Sequence, residues 1–145
     1  MSLPERTTGV ESERTVLVGV YINAPVNPKE PLLELSGLAI TAGAHVVAEL
    51  VQRRHEADQR TYIGRGKLKE LFSIVEHHDA DVVMFDNDLS PAQIRNLEHE
   101  LDCKVLDRSE VILDIFAARA RTYEARLAVE LAQLEYSLPR LKRMW

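Results

Sequence analysis

The sequence has little cysteine, no long apolar run and no excess of basic residues. One cysteine, Cys103, excludes an intramolecular disulfide framework and fits a reducing compartment. No segment approaches the roughly 18 apolar residues of a membrane-spanning helix, and no signal peptide precedes the first predicted strand. The net charge of −5 argues against a protein that coats nucleic acid non-specifically. These features predict a soluble cytoplasmic protein with no membrane partner.

Motifs for metal and covalent chemistry are also missing. The 5 histidines show no metal-ligand spacing, and no G-x-S-x-G, H-E-x-x-H or C-x-x-C pattern occurs. Asp86-Asn87-Asp88 could bind a cation or act as acid and base, but such a cluster more often caps a turn before a helix. We therefore predict no catalytic residue and no metal site.

The segment Thr61–Lys67 (TYIGRGK) resembles a phosphate-binding loop but lacks its spacing. A P-loop places its first glycine where Thr61 stands and a hydroxyl residue where Leu68 stands, so two of its fixed positions fail. Two glycines and two cations remain at a predicted helix start, where free N–H groups attract anions. Gly64, Arg65, Gly66 and Lys67 therefore either bind an anion or only form a turn.

Apolar β-branched runs alternate with amphipathic segments as far as residue 107. We predict strands at 15–22, 45–52, 81–85 and 104–106, and helices at 29–42, 67–77 and 92–101. The order β-α-β-α-β-α-β predicts a small, mostly parallel four-stranded sheet with helices on its faces. Residues 1–13 are predicted to be a disordered leader and 14–107 the α/β domain. The polar segments Tyr62–Gly64, Asp86–Asp88 and Asp107-Arg108 should meet at the carboxyl edge of the sheet.

Residues 108–145 have a different pattern. No glycine or proline occurs between Asp107 and Pro139, and apolar residues recur at a/d spacing, which predicts one long helix with a coiled-coil-like seam. Because no partner helix of similar length is evident, we expect self-association or folding of the helix onto the α/β domain. The large seam residues are Leu113, Leu127, Leu131, Leu134, Leu138 and Leu141.

The same segment carries the basic character of the chain. Residues 1–107 have 11 Lys/Arg and 18 Asp/Glu, a net −7, whereas 108–145 have 7 and 5, a net +2. On one continuous helix, Arg108, Arg119 and Arg126 would form a stripe. The pattern fits contact with RNA phosphates, or equally a solvated helix flank. The candidate RNA-binding residues are Arg119, Arg121, Arg126, Arg140, Lys142 and Arg143.

Three blocks closely resemble the amino-terminal half of the HflX family of ribosome-associated GTPases, within the Obg/HflX superfamily. They are TYIGRGK at 61–67, LSPAQIRNLE at 89–98 and the long block at 105–141. In that family the region is an α/β domain followed by two long antiparallel helices, with the GTPase domain after them. The resemblance therefore implies that residues 108–145 are the first half of a helical hairpin, and that TYIGRGK is distinct from the true phosphate loop.

The resemblance also implies a function. The family binds the large ribosomal subunit and splits or remodels ribosomes in a GTP-dependent way. This chain would then be a regulatory module that binds ribosomal RNA, with the tip near Arg140–Arg143 facing the RNA. It would have no GTPase activity, and GTP and Mg²⁺ would bind the GTPase domain, its expected partner. Two alternatives come from other classes of protein: an ATP-binding enzyme that uses Gly64–Lys67, and a free-standing dimeric interaction domain.

Overall fold

The computed structural model describes residues 10, 12–23, 30–120 and 122–142, without the side chains of 141 and 142. In chain order the described elements are β1 (Arg14–Ile22), α1 (Leu33–Thr41), β2 (His45–Arg54), α2 (Arg65–His78), β3 (Val82–Phe85), α3 (Pro91–Leu101), β4 (Lys104–Leu106), α4 (Arg108–Arg119) and α5 (Tyr123–Lys142). None of these helices is long and apolar enough to cross a membrane.

The four strands form one parallel sheet in the order β2-β1-β3-β4. The interior strand β3 is buried along its whole length, as expected for a parallel sheet covered on both faces. The predicted fold class is confirmed, and the predicted strands and helices through residue 107 all occur, with boundaries that differ by a few residues.

Alternation along the strands sends side chains into two cores. On one face, Val16, Val18 and Phe85 pack with the apolar residues of α2 and α3. On the other face, Leu17 and Met84 pack with residues of α1 and α4. The sheet is therefore the middle layer between two pairs of helices.

The helix start that the sequence predicts most clearly is present. Ser90 accepts a hydrogen bond from the Gln93 backbone N–H at 3.1 Å, and the Gln93 side chain accepts one from the Ser90 N–H at 2.9 Å. This reciprocal capping box, followed by Pro91 at the first helical position, fixes the start of α3.

The predicted leader is partly ordered. Val10 is 1% exposed in the core beside α1, and the Ser12 N–H donates to the Gly43 carbonyl at 2.9 Å. Glu13 pairs with Lys104 at 3.0 Å. The prediction of a disordered leader is wrong for these three residues, because an apolar side chain and two polar anchors bind them to the domain. The other leader positions lie outside the described residues.

The C-terminal region contains two helices, so the prediction of one continuous helix is wrong. Ala120 adopts an extended backbone (φ −68°, ψ 118°), which ends α4. The Thr122 hydroxyl then accepts a hydrogen bond from the Ala125 N–H at 3.0 Å, as an N-cap does. α4 and α5 pack against each other, and the predicted stripe through Arg108 and Arg126 does not exist because these residues lie on different helices.

The predicted leucine seam is not buried. Leu127, Leu131, Leu134 and Leu138 are 47%, 58%, 58% and 51% exposed, while Leu113 on α4 is half-buried. The side chain of Leu141 lies outside the described part. The last helix does fold back onto the α/β domain, as one alternative predicted, but it docks through its opposite face. Self-association stays a prediction.

Candidate functional site

The carboxyl edge of the sheet gathers polar residues where the strand order reverses, between β1 and β3. Asn87 bridges the two strands. Its side-chain carbonyl accepts from the Val20 N–H at 3.0 Å, and its amide donates to the Val20 carbonyl at 2.7 Å. These bonds continue the strand pairing beyond the end of β3. Asn87 therefore occupies the position at which doubly wound folds commonly bind a ligand.

Asp86 lies beside Asn87 and is half-buried. The Tyr21 hydroxyl lies 3.2 Å from its Oδ2 and 2.8 Å from the Pro31 carbonyl oxygen, and the Arg108 guanidinium lies 3.6 Å from its Oδ1. Burial raises the pKa of Asp86, while the Tyr21 hydrogen bond and the Arg108 charge oppose that shift. Burial, together with the charge of Asp86, raises the pKa of Tyr21.

The three polar segments predicted to meet at this edge do meet there. Arg108 pairs with Asp86, Tyr62 interacts with Asn87, and Ser109 donates to the Asp88 carboxylate at 2.6 Å. These side chains are bound to one another, which fits a structural role. Within residues 10, 12–23, 30–120 and 122–142, no group of three or more His, Cys, Asp or Glu side chains could hold a metal ion.

Gly64, where α2 begins, has ordinary extended backbone angles (φ −70°, ψ 159°), so it needs no left-handed conformation. Its N–H donates to the Gln52 side chain at 3.0 Å. The Arg54 guanidinium lies over its Cα, where an added Cβ would stand 2.0 Å from Nη1. Because this atom is the end of a flexible side chain, Arg54 could move aside, and the contact does not by itself require glycine at this position. By contrast, an added Cβ at Gly66 would meet nothing within 4 Å.

Arg65 and Lys67, the two cations of the predicted anion-binding segment, make different contacts. Arg65 is exposed at the first turn of α2, whereas Lys67 pairs with Glu70 at 3.1 Å on the same helix. Arg65 and Lys69 line an open groove of about 700 Å³ between α2 and α3, which also contains the half-exposed ring of Phe72. The turn is thus basic on its outer side, which keeps an anion-binding role for Gly64–Lys67 as a hypothesis.

The loop before Gly64 is organised by Asp58. Its carboxylate accepts from the backbone N–H groups of Arg60 at 2.8 Å and Thr61 at 2.9 Å, and these bonds lower its pKa, the bond from Thr61 most. Two α3 side chains hold the loop from outside: Gln93 donates to the Asp58 carbonyl at 3.0 Å and Asn96 to the Arg60 carbonyl at 2.9 Å. The second resembling block, on α3, therefore contacts the residues that directly precede the first block. Sequence reasoning missed these amides, although both lie on the polar face of α3.

Asp107 contacts several parts of the chain, and sequence reasoning gave it no role beyond a place at the carboxyl edge of the sheet. It is 0% exposed, and its carboxylate accepts from the backbone N–H groups of Glu110 at 3.0 Å and Leu89 at 3.2 Å. From α5 it also receives the Tyr136 hydroxyl and the Arg140 guanidinium, the latter at 3.4 Å. The i, i+4 spacing of Tyr136 and Arg140 was the available signal for a shared target.

The six predicted RNA-binding residues are dispersed. Arg119 and Arg126 are exposed on the two sides of the α4–α5 turn. Arg140 is instead mostly buried, with 14% of its side chain exposed, and it stacks on the Tyr136 ring at 3.5 Å. Arg121, Arg143 and the side chain of Lys142 lie outside the described part of the chain.

Comparison with known proteins defines the class. A family model described as "GTP-binding GTPase N-terminal" matches residues 29–117, which is more than half of the chain. A second, described as "GTP-binding GTPase Middle Region", matches residues 119–145. The boundary between the two matches falls beside the break between α4 and α5. The fold described above is therefore that of the N-terminal region of GTP-binding GTPases.

Individual relatives identify the family within that class. GTPase HflX from Caldanaerobacter subterraneus subsp. tengcongensis is 49% identical over 131 residues, which cover 90% of this chain and 30% of that protein. GTPase HflX from Escherichia coli (strain K12) is 43% identical over 133 residues, covering 92% and 31%. The chain belongs to the HflX family. It spans about 30% of the length of these curated relatives.

A solved structure agrees with the fold. The crystal structure of a GTP-binding protein from the hyperthermophilic archaeon Sulfolobus solfataricus, in complex with GDP, matches with a TM-score of 0.66 and 26% identity. The match covers 90% of this chain and 39% of that one. It includes both the α/β domain and the helices that follow.

Proposed function

We propose that this chain is the ribosome-binding and regulatory domain of an HflX-type GTPase that acts on the large ribosomal subunit in the cytoplasm and splits or remodels ribosomes. GTP and Mg²⁺ would bind the GTPase domain, which is the expected partner of this region. Family membership supports the GTPase context. α4 and α5 form a hairpin of their own, in which Gln133 and Tyr136 of α5 contact Asp114 and Asp107 at α4. The exposed turn of this hairpin supports the assignment of a ribosome-contacting element.

The exposed basic turn between α4 and α5 is the main structural support for this function. α4 has 12 residues and is therefore about 18 Å long, so the turn stands well away from Asp107, where the helix begins. Arg119 and Arg126 are exposed at this turn, and Tyr123 between them is 77% exposed. Cations beside an accessible aromatic ring suit RNA, because they contact phosphates while the ring stacks on an unpaired base.

The proposed RNA-facing tip is the turn between α4 and α5, which differs from the position expected from the sequence. The sequence placed it near Arg140–Arg143, but Arg140 is bound to Asp107 at the base of the hairpin. We assign the contact first to Arg119, Arg126 and the neighbouring Arg121. Lys142 and Arg143 stay predicted contributors.

The test is a salt titration of binding to purified large ribosomal subunits. Each phosphate neutralised contributes roughly −0.7 to −0.9 to the slope of log K against log salt, so three contacts give a slope of about −2 to −3. Combined Arg119→Glu and Arg126→Glu should weaken binding and flatten the slope. The matched control is Arg53→Glu, an exposed arginine on edge strand β2, which should leave both unchanged. Equal effects of the two changes would refute the assignment.

Anion binding at the start of α2 is a second candidate, favoured by the exposed Arg65 and by the guanidinium of Arg54 over Gly64. If it occurs, phosphate or sulfate should raise the melting temperature, and changing Lys67 or Arg65 to alanine should remove that increment. An unchanged increment in both variants would leave Gly64–Lys67 as a turn only. An ATP-binding enzyme would require, in addition, nucleotide turnover that depends on Lys67.

A dimeric interaction domain is the third candidate, favoured by the exposed leucines of α5. Sedimentation velocity across a range of protein concentrations tests it. A mass that rises with concentration and falls to that of a monomer on changing Leu131 and Leu134 to glutamine would support it. A monomer at every concentration would exclude it.

A further inference from the structure

Asp107 stands at the junction of three separate parts of the chain. Its carboxylate is fully buried and caps its own helix α4 through Glu110. It also holds the Leu89 N–H in the turn before α3. Its remaining bonds go to α5, some 30 residues further along the chain, through Tyr136 and Arg140.

Besides its contact with Asp107, Arg140 makes a second contact that fixes α5. One Nη donates to the Leu89 carbonyl at 3.0 Å, so the same residue, Leu89, is held by Asp107 through its N–H and by Arg140 through its C=O. The Arg140 guanidinium also lies 3.5 Å from the centre of the Tyr136 ring, in cation–π contact. These contacts fix the C-terminal half of α5 to the carboxyl end of the sheet.

Tyr136 and Arg140, the two residues of α5 that make these contacts, lie on one face of the helix. At 3.6 residues per turn, Tyr136 and Arg140 lie roughly opposite Leu127, Leu131, Leu134 and Leu138 around the helix. Burial agrees with this geometry, because all four leucines are about half-exposed. Apolar burial alone would favour turning the leucines inward. The polar contacts of Tyr136 and Arg140 therefore lie on the side of α5 opposite to the one that apolar burial would favour.

We propose that Asp107, Tyr136 and Arg140 form a latch that fixes the position and the rotation of α5, and thereby keeps its leucine face turned away from the α/β domain. Within the described part of the chain, the buried Nε of Arg140 has no hydrogen-bond partner, so the docked arrangement leaves one donor unsatisfied. A buried polar network that is incompletely satisfied is a weaker lock than a complete one.

Hydrogen exchange of the full 145-residue chain tests the docking. Tyr136→Phe removes one hydroxyl and keeps the ring, and it should speed exchange of the α5 amides around residues 133–140 by about tenfold or more, while the amides of β1 and β3 keep their rates. Arg140→Met should act in the same direction. Tyr123→Phe is the matched control, because that tyrosine lies exposed on the same helix, and it should change nothing. Unchanged α5 exchange in both latch variants would overturn the proposal.

Thiol labelling tests the rotation. In a Cys103→Ala background, the thiol of Leu134→Cys should react several times faster than that of Ala132→Cys, because Leu134 is exposed and Ala132 is half-buried on the packed side. Combining Tyr136→Phe with Arg140→Met should bring the two rates together, because the helix can then turn. If the ratio of rates is the same with and without the latch, the anchors do not set the rotation and the proposal fails.

Discussion

Changing Asp107 should produce a large and chemically graded loss of stability. Asp107→Ala removes the N-cap of α4, which costs about 1 kcal/mol, and leaves the Leu89 N–H without its acceptor. It also leaves Arg140, 14% exposed, without its counter-charge. Removing one partner of a buried ion pair typically costs about 3–5 kcal/mol. Because these losses overlap, we expect about 4 kcal/mol in total, a large share of the roughly 5–15 kcal/mol that stabilises a domain.

Asp107→Asn removes the charge of the side chain but keeps its size and shape, so it tests the contribution of the charge alone. Asparagine caps helices about as well as aspartate and can still accept from Leu89 or Tyr136, so it should lose only about half as much. Equilibrium urea denaturation followed by circular dichroism measures both variants, with the midpoint shifting while the slope m stays constant. The matched control is Asp88→Ala, an exposed carboxylate bonded to Ser109, which should cost less than about 1 kcal/mol. Equal losses of stability at Asp88 and Asp107 would show that the buried contacts of Asp107 contribute no more than an exposed carboxylate does.

Three further predictions follow from the same structure. Burial raises the pKa of the Cys103 thiol to about 12. The thiol should therefore react slowly with maleimide at pH 8 in the folded protein and rapidly once urea unfolds the chain. Fast labelling of the folded protein would contradict the burial of this thiol. Asp58→Ala should lose about 1–2 kcal/mol at pH 7 through its bonds to the loop. Because the folded-state pKa of Asp58 lies below its ordinary 3.8, that difference should persist above pH 3.8 and vanish as the pH falls through the folded-state value, whereas a difference independent of pH would exclude the carboxylate as its source. The chain by itself should not hydrolyse GTP, since it lacks the P-loop spacing; turnover that Lys67→Ala abolishes would show otherwise.

Local signals made the α/β fold predictable. The β-branched runs, the capping box at Ser90 and the regular alternation of strands and helices all favour the same parallel sheet, so each local preference agrees with the global arrangement. The meeting of polar segments at the carboxyl edge followed directly from that topology. The ordered part of the leader was missed because the burial of Val10 depends on the core cluster it joins on the α1 and α4 face of the sheet, which no local pattern encodes.

The C-terminal helices were predicted less well, for a physical reason. Without glycine or proline, the segment before Pro139 carries no strong stop signal, and the cap at Thr122 was overlooked. The leucine spacing then favoured a buried seam. The face that docks was instead decided by a buried carboxylate that must find donors, and its partners Tyr136 and Arg140 are about 30 residues away. Which donors this carboxylate meets depends on the folded arrangement of distant segments, and local sequence patterns do not show it.

We propose that this region provides ribosome binding for an HflX-type GTPase, and partition of the chain between ribosomal subunits is the decisive experiment. The purified chain is incubated with separated large and small subunits at about 0.1 M salt, where charge contacts are only partly screened, and each is pelleted. We expect the chain to pellet with large subunits, excess small subunits not to compete, and charge reversal at Arg119 and Arg126 to release the chain. Equal recovery with both subunits, or no recovery with the large one, would show that this region is not a binding domain for the large subunit.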